Sequence, residues 1–175
     1  MNDASSIPQP RRTLASVLAL LCVLALAGAV ALGTWLIGAT RESSREASER
    51  AEVVQAAERF TETWNTFTSE NADEYIEQVA PLLSTKFRKE FEDSAENVLT
   101  GIQQQQLTSE GKVLADEKEI PLIGIASMDD DSAEVLVVSD AQRVASGQEV
   151  LRHWRWQVSL VLRDGEWLVD DFEEV

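Results

Sequence analysis

His153 and Cys22 are the sole histidine and the sole cysteine of the chain, so little of the usual catalytic equipment can be assembled. A histidine base needs an orienting carboxylate and a nucleophile. His153, between Arg152 and Trp154 on the polar face of an expected strand, reads as an exposed structural residue instead. One histidine excludes HExxH and related metal sites, and one cysteine excludes a disulfide framework or a Cys-based zinc site. Tyr75, the sole tyrosine, could act with an aspartate in enolisation chemistry. Its candidates are Asp140, Asp170 and Asp171, and nothing in the spacing pairs any of them with it. Asp129-Asp130-Asp131 lacks the alternating ligands and distal glutamate of a calcium loop, and reads as a solvated hairpin tip. No glycine-rich phosphate loop and no GxSxG is present. Asp170-Asp171 with Glu173-Glu174 reads as a charged docking or solubilising surface. The expectation is a non-enzymatic protein with no catalytic, cofactor-binding or metal-binding residues.

Such a protein must act through where it sits and what it touches. Its 175 residues suit one domain and an appendage. Thirty-one acidic against 15 basic side chains give a net charge of -16, which excludes nucleic acid as a partner because phosphate contacts need clustered Lys and Arg. The charge is uneven. Residues 1–40 carry +1, so residues 41–175 carry -17.

No charged side chain occurs from Thr13 to Thr40, and Leu14–Ile37 is almost wholly Leu, Ala, Val and Gly. A helix of that length spans the roughly 30 Å hydrocarbon core of a bilayer. The run continues through Trp35, Leu36 and Ile37, past the small-x-small sequences around Ala27 where a signal peptidase would cut, so an uncleaved anchor is expected. The organisation then reads as a cytoplasmic tail (1–12), a transmembrane helix (13–40), a charged helical stalk (41–52) and a folded domain (53–175). Arg11 and Arg12 on the short side are matched by Arg41, Arg45 and Arg50 on the other, so the size of the C-terminal part and the export-signal look of the N-terminus are what place the N-terminus in the cytoplasm and the domain outside the cell membrane.

Within the domain, a long helix is expected from Ser43 to Phe67, with Val53, Ala57, Phe60, Trp64 and Phe67 on one stripe. A second should run from Ala72 to Val79. A third should run from Lys86 to about Leu99, capped by Ser84-Thr85 and loosened by Gly101 and the following glutamines. The period then changes to alternation. Strands are expected at Ile120–Met128, Ala133–Val144, around Trp154–Leu162 and at Glu166–Glu174, with a short one possible at Lys112–Leu114. Turns fall at Ser146-Gly147-Gln148 and Asp164-Gly165. Three helices followed by an antiparallel meander describe an α+β domain, its core formed by the helical aromatics against Trp154, Trp156 and Trp167.

The anchor and stalk, Phe60 and Trp64, Leu82-Leu83-Ser84-Thr85-Lys86-Phe87, Ala133-Glu134-Val135-Leu136-Val137 and Asp164-Gly165-Glu166-Trp167-Leu168-Val169 together resemble the actinobacterial Mce-associated membrane proteins. The resemblance covers roughly residues 10–175. It implies a cone-shaped fold like that of nuclear transport factor 2 (NTF2-like), and an accessory subunit that stabilises or assembles an Mce-type lipid or sterol import system, with Mce transporter subunits as partners. Three alternatives stand beside it. The first is a lipid-binding module, with an apolar ligand between helices and sheet. The second is a secretion-machine subunit similar to the VirB8 family. The third is an enzyme of the ketosteroid-isomerase type built on Tyr75.

Overall fold

The computed structural model describes residues 44–175. The expected tail, transmembrane helix and first residues of the stalk lie outside the described residues. Among the described residues no helix is long and apolar enough to cross a membrane. Contacts divide the chain into Met1–Ala47 and Ser48–Val175, and the second unit holds the α+β fold.

Helix α1 covers residues 44–65. Its residues up to 52 are largely exposed, and burial begins at Val53. Val53, Ala57 and Phe60 are buried as their spacing predicts. The expected last member of the stripe, Phe67, departs from it. The helix ends at Asn65, whose buried side chain donates to the Thr61 carbonyl at 2.9 Å. Phe67–Thr68 then forms strand β1. The β-branched and aromatic run Thr66-Phe67-Thr68 suits a strand better than a helix, and pairing of Phe67 with Ser109 decides the outcome.

Helix α2 spans Ala72–Val79, burying Tyr75 and Val79. Pro81 lies in a 3-10 turn, Ala80–Leu82. Helix α3 starts where expected, the Ser84 hydroxyl accepting from the Phe87 N–H. It runs from Thr85 to Gln104, five residues beyond the expected end at Leu99. Glutamine is a good helix former, and Ile102 buries in the final turn. Gln106, at φ 50°, ends the helix, and the Leu107 N–H returns to the Ile102 carbonyl at 2.9 Å.

The strands are β2 (Thr108–Val113), β3 (Ile123–Met128), β4 (Ser132–Ala145), β5 (Gln148–Arg163) and β6 (Glu166–Glu174). Thus β2 is longer than the segment expected at Lys112–Leu114, and β3 starts three residues later than expected, after Pro121. The sheet is antiparallel throughout, in the order β1-β2-β4-β5-β6. β3 pairs with the first half of β4 and β2 with its second half. Both long hairpins turn through two residues of positive φ, Ser146-Gly147 and Asp164-Gly165, the conformation that matches the twist of the flanking strands. On the inner face Val135, Val137, Val158 and Leu160 join Phe60, Val79, Leu83 and Val169 in the core. Each such buried side chain contributes about 1.5–3 kcal/mol.

Candidate functional site

The tight turn at Ser146-Gly147 pairs each β4 residue with the β5 residue equidistant from it. Asp140 therefore faces His153, and the His153 Nδ1 and the Asp140 Oδ1 lie 2.7 Å apart. This supplies the orienting carboxylate that reading the residues one by one did not locate, although the turn itself contained the information. The pair lies on the outer face, with the histidine side chain 72% exposed, so its interaction is worth about 1 kcal/mol or less.

Tyr75 and the three aspartates are not brought together. The Tyr75 hydroxyl donates to the Trp64 carbonyl at 3.1 Å, and burial pushes its pKa well above the usual value. Asp140 is engaged with His153. Asp170 accepts from the Ser84 hydroxyl at 2.6 Å, and Asp171 from the Phe172 N–H at 2.9 Å. At the acidic tip, Asp131 approaches Arg163 at 4.0 Å.

The interior is organised by a residue that simple alternation sends the wrong way. Trp167 and Val169 point inward on β6, and strict alternation would turn Phe172 outward. A bulge between Ser159 and Leu160 of the partner strand leaves Asp170 unpaired and sets Phe172 opposite the buried Val158. One extra residue flips every later side chain to the other face. Phe172 thereby meets Trp64 at 4.7 Å, Phe60 and Trp156 at 5.2 Å, and Phe87 at 5.8 Å between ring centroids. Trp64 also contacts Phe91 and Tyr75. These rings pack the space between helices and sheet. Of the three expected tryptophans, Trp167 is in the core and Trp156 packs against it. Trp154 instead stacks on Trp156 at 5.0 Å, nearer the β4–β5 turn.

Beyond Trp154 the inner face changes character. Arg143, opposite Ser109 on β2 and Val150 on β5, shares that face with Arg152, opposite Ala141. Its guanidinium carbon lies 5.1 Å from the Trp154 ring and 6.0 Å from the Phe67 ring, a cation–π arrangement. Burial and the neighbouring Arg152 charge lower the Arg143 pKa, against a smaller opposing effect of Tyr75. Neither arginine forms an ion pair with a described residue. The buried Nε of Arg143, Oγ of Ser109 and Nε1 of Trp154 lack hydrogen-bond partners within the protein. Each such group costs about 1–3 kcal/mol when left unsatisfied. Two guanidiniums, an indole N–H and a hydroxyl gather on this part of the face, so the chemistry this corner can perform is to hold an acceptor. A separate open groove of about 370 Å³ lies between α1, the 3-10 turn and the Asp164-Gly165 turn, lined by Glu52, Arg59, Pro81 and Trp167 among others.

With this geometry in hand, comparisons place the chain. The sequence pattern of the family described as Uncharacterized protein Rv1363c/MT1408-like matches residues 11–175. The chain belongs to this family. Nothing among curated protein sequences matches it. The fold of this Rv1363c/MT1408-like protein is similar to that of several solved structures. The periplasmic domain of DotI superposes with a TM-score of 0.56 at 11% identity, over 70% of this chain and 92% of that one. An IcmL-like type IV secretion system protein from Legionella pneumophila gives 0.56 at 13%, over 72% and 91%. CagV, a VirB8 homolog from Helicobacter pylori, gives 0.53 at 10%, over 71% and 97%. At such identities the likeness shows the fold: three helices on a curled antiparallel sheet, of VirB8-like type.

Proposed function

We propose that this Rv1363c/MT1408-like protein is a non-enzymatic, membrane-anchored accessory subunit that assembles or stabilises a multi-subunit complex at the cell envelope. In this reading residues 13–40 anchor the chain, and the VirB8-like domain lies outside the membrane as a docking body. The observation that carries it is the joining of a charge-free 28-residue apolar segment to a domain whose interior is occupied by its own aromatic rings. A packed interior supports a scaffold over an enclosed lipid cavity. The separation of Tyr75 from Asp140, Asp170 and Asp171 supports a role without turnover. An Mce-type lipid or sterol import system is the preferred complex, on the sequence resemblance of the stalk, helix and strand motifs.

A second reading, a subunit of a secretion machine, is favoured by the fold likeness to DotI, the IcmL-like protein and CagV. One experiment separates the two: affinity purification of the full chain from detergent-solubilised membranes, with mass spectrometry of what accompanies it. Mce subunits whose abundance falls when the gene is deleted support the first reading. Secretion components behaving so replace it with the second. Recovery of the chain alone, with no subunit depleted in the deletion, overturns both.

A further inference from the structure

We propose that Arg143 and Arg152, framed by Phe67, Trp154 and Val150 at the open end of the inner face, bind the single carboxylate of a small organic acid with an apolar or aromatic body. The proposal is independent of which complex the protein serves.

Four observations converge on it. First, the positions are set against the charge of the whole chain. Residues 41–175 carry -17, yet from Ala141 to Arg155 three arginines face one glutamate. With so many carboxylates available, two neighbouring guanidiniums remain without an ion pair. Second, Arg143 is restrained by ring contacts, its guanidinium carbon 5.1 Å from the Trp154 ring and 6.0 Å from the Phe67 ring, so little side-chain freedom is lost when its planar fork meets a planar carboxylate. Third, Ser109 is buried directly opposite Arg143, and its hydroxyl has no partner, adding an unused donor beside the cation. Fourth, Val150, also opposite Arg143, is 46% exposed on this same face, two inward positions from Trp154 with Arg152 between them. An apolar body attached to the carboxylate has a surface to cover. A highly acidic macromolecule fits less well, since the rest of the domain repels it, and two arginines match one oxyanion.

The test uses the full chain in phosphatidylcholine nanodiscs, labelled with nitrogen-15, with the Trp154 indole N–H resonance identified from W154F. Phenylacetate is titrated against phenylacetamide, which keeps the ring and loses the charge, and against inorganic phosphate, which keeps charge and loses the ring. The expected result is saturable movement of the Trp154 resonance by phenylacetate, with both controls at least tenfold weaker. R143Q should weaken phenylacetate binding at least tenfold, and R152Q, at an exposed position, about three- to tenfold. R143K keeps the charge without the bidentate fork and should fall between wild type and R143Q, so a folding defect in R143Q does not decide the matter. R163Q, at the other end of β5, should bind as wild type does. Equal binding of the amide would reduce the site to a greasy patch. Equal binding of phosphate would reduce it to unspecific charge. Binding unaffected by R143K, R143Q and R152Q, or no binding, would overturn the assignment.

Discussion

The two halves of the β4–β5 hairpin share one backbone geometry and differ in almost everything else. The half near Asp131 and Arg163 is flanked by β3 on one side and β6 on the other, and its inward residues Val135, Val137, Val158 and Leu160 are fully enclosed. The half near Ser146-Gly147 has β2 on one side only, because β6 pairing stops at Trp156. There Val150 and Leu151 are exposed, and the inner face carries Arg143 and Arg152 beside an uncovered Val150. The difference teaches that strand-forming residues set the ladder, while neighbouring strands and helices decide which parts of it become core and which become surface for recognition. The enclosed half holds the domain together, and the open half is free to specialise.

The largest effect that should separate the halves is deletion of side-chain volume. Phe60→Ala, at a residue 2% exposed, should cost about 3–5 kcal/mol, and Leu160→Ala, at 1%, about 2–5 kcal/mol. Leu151→Ala, at 55% exposed, should stay within about 0.5 kcal/mol. Urea denaturation of the three variants measures this directly, and a large loss at Leu151 would break the division.

Gly111 tests whether the open half is nonetheless held where β2 meets α1. A Cβ there would lie 2.2 Å from the Asn65 Cβ and 3.2 Å from Asn65 backbone atoms. Helix or strand must move, so Gly111→Ala should destabilise by about 1–3 kcal/mol in the same assay. Gly124, with open space around its Cβ position, gives the contrasting control.

Tyr75 sharpens the comparison through pH. Burial raises its pKa in the folded protein above the unfolded value of about 10. The neutral phenol is thus favoured by folding: its contribution is complete below about pH 10 and is lost as pH rises above that. Stability should fall by up to about 1.4 kcal/mol per pH unit in that range through this group. Denaturation profiles of Tyr75→Phe should be flatter there than those of the wild type.

The smallest effect concerns the joint between helix and bulge. Ser84 caps α3 and donates to Asp170, the unpaired residue that turns Phe172 inward. Ser84→Ala should cost about 1–2 kcal/mol. The near-ultraviolet circular dichroism of the aromatic cluster should also weaken, which loss of a helix cap alone would not produce.

Much of this architecture was legible from short-range pattern. The bounds of α2, the cap at Ser84, the alternation of Val158, Leu160 and Leu162 and the two hairpin turns all follow from periodicity and turn chemistry. Both operate within a few residues of chain. The Asp140–His153 pair belonged in that class too, since a two-residue turn dictates which residues oppose. Where α1 and α3 ended otherwise than expected, distant partners decided: Ser109 captured Phe67, and burial of Ile102 held the last turn of α3.

What sequence alone determined, then, was the three helices and the four long strands, the acidic character of the domain and the scarcity of catalytic side chains; β1 at Phe67–Thr68 was not among them. Only the tertiary structure decided that a bulge at Asp170 would bring Phe172 to the centre of the aromatic packing, and that Phe67, Ser109, Arg143, Arg152 and Trp154 would share one corner. Those residues come from β1, β2, β4 and β5. Local preference acts over a turn or a strand pair, whereas convergence of this kind depends on sheet order and register, which only the packing of the whole domain selects.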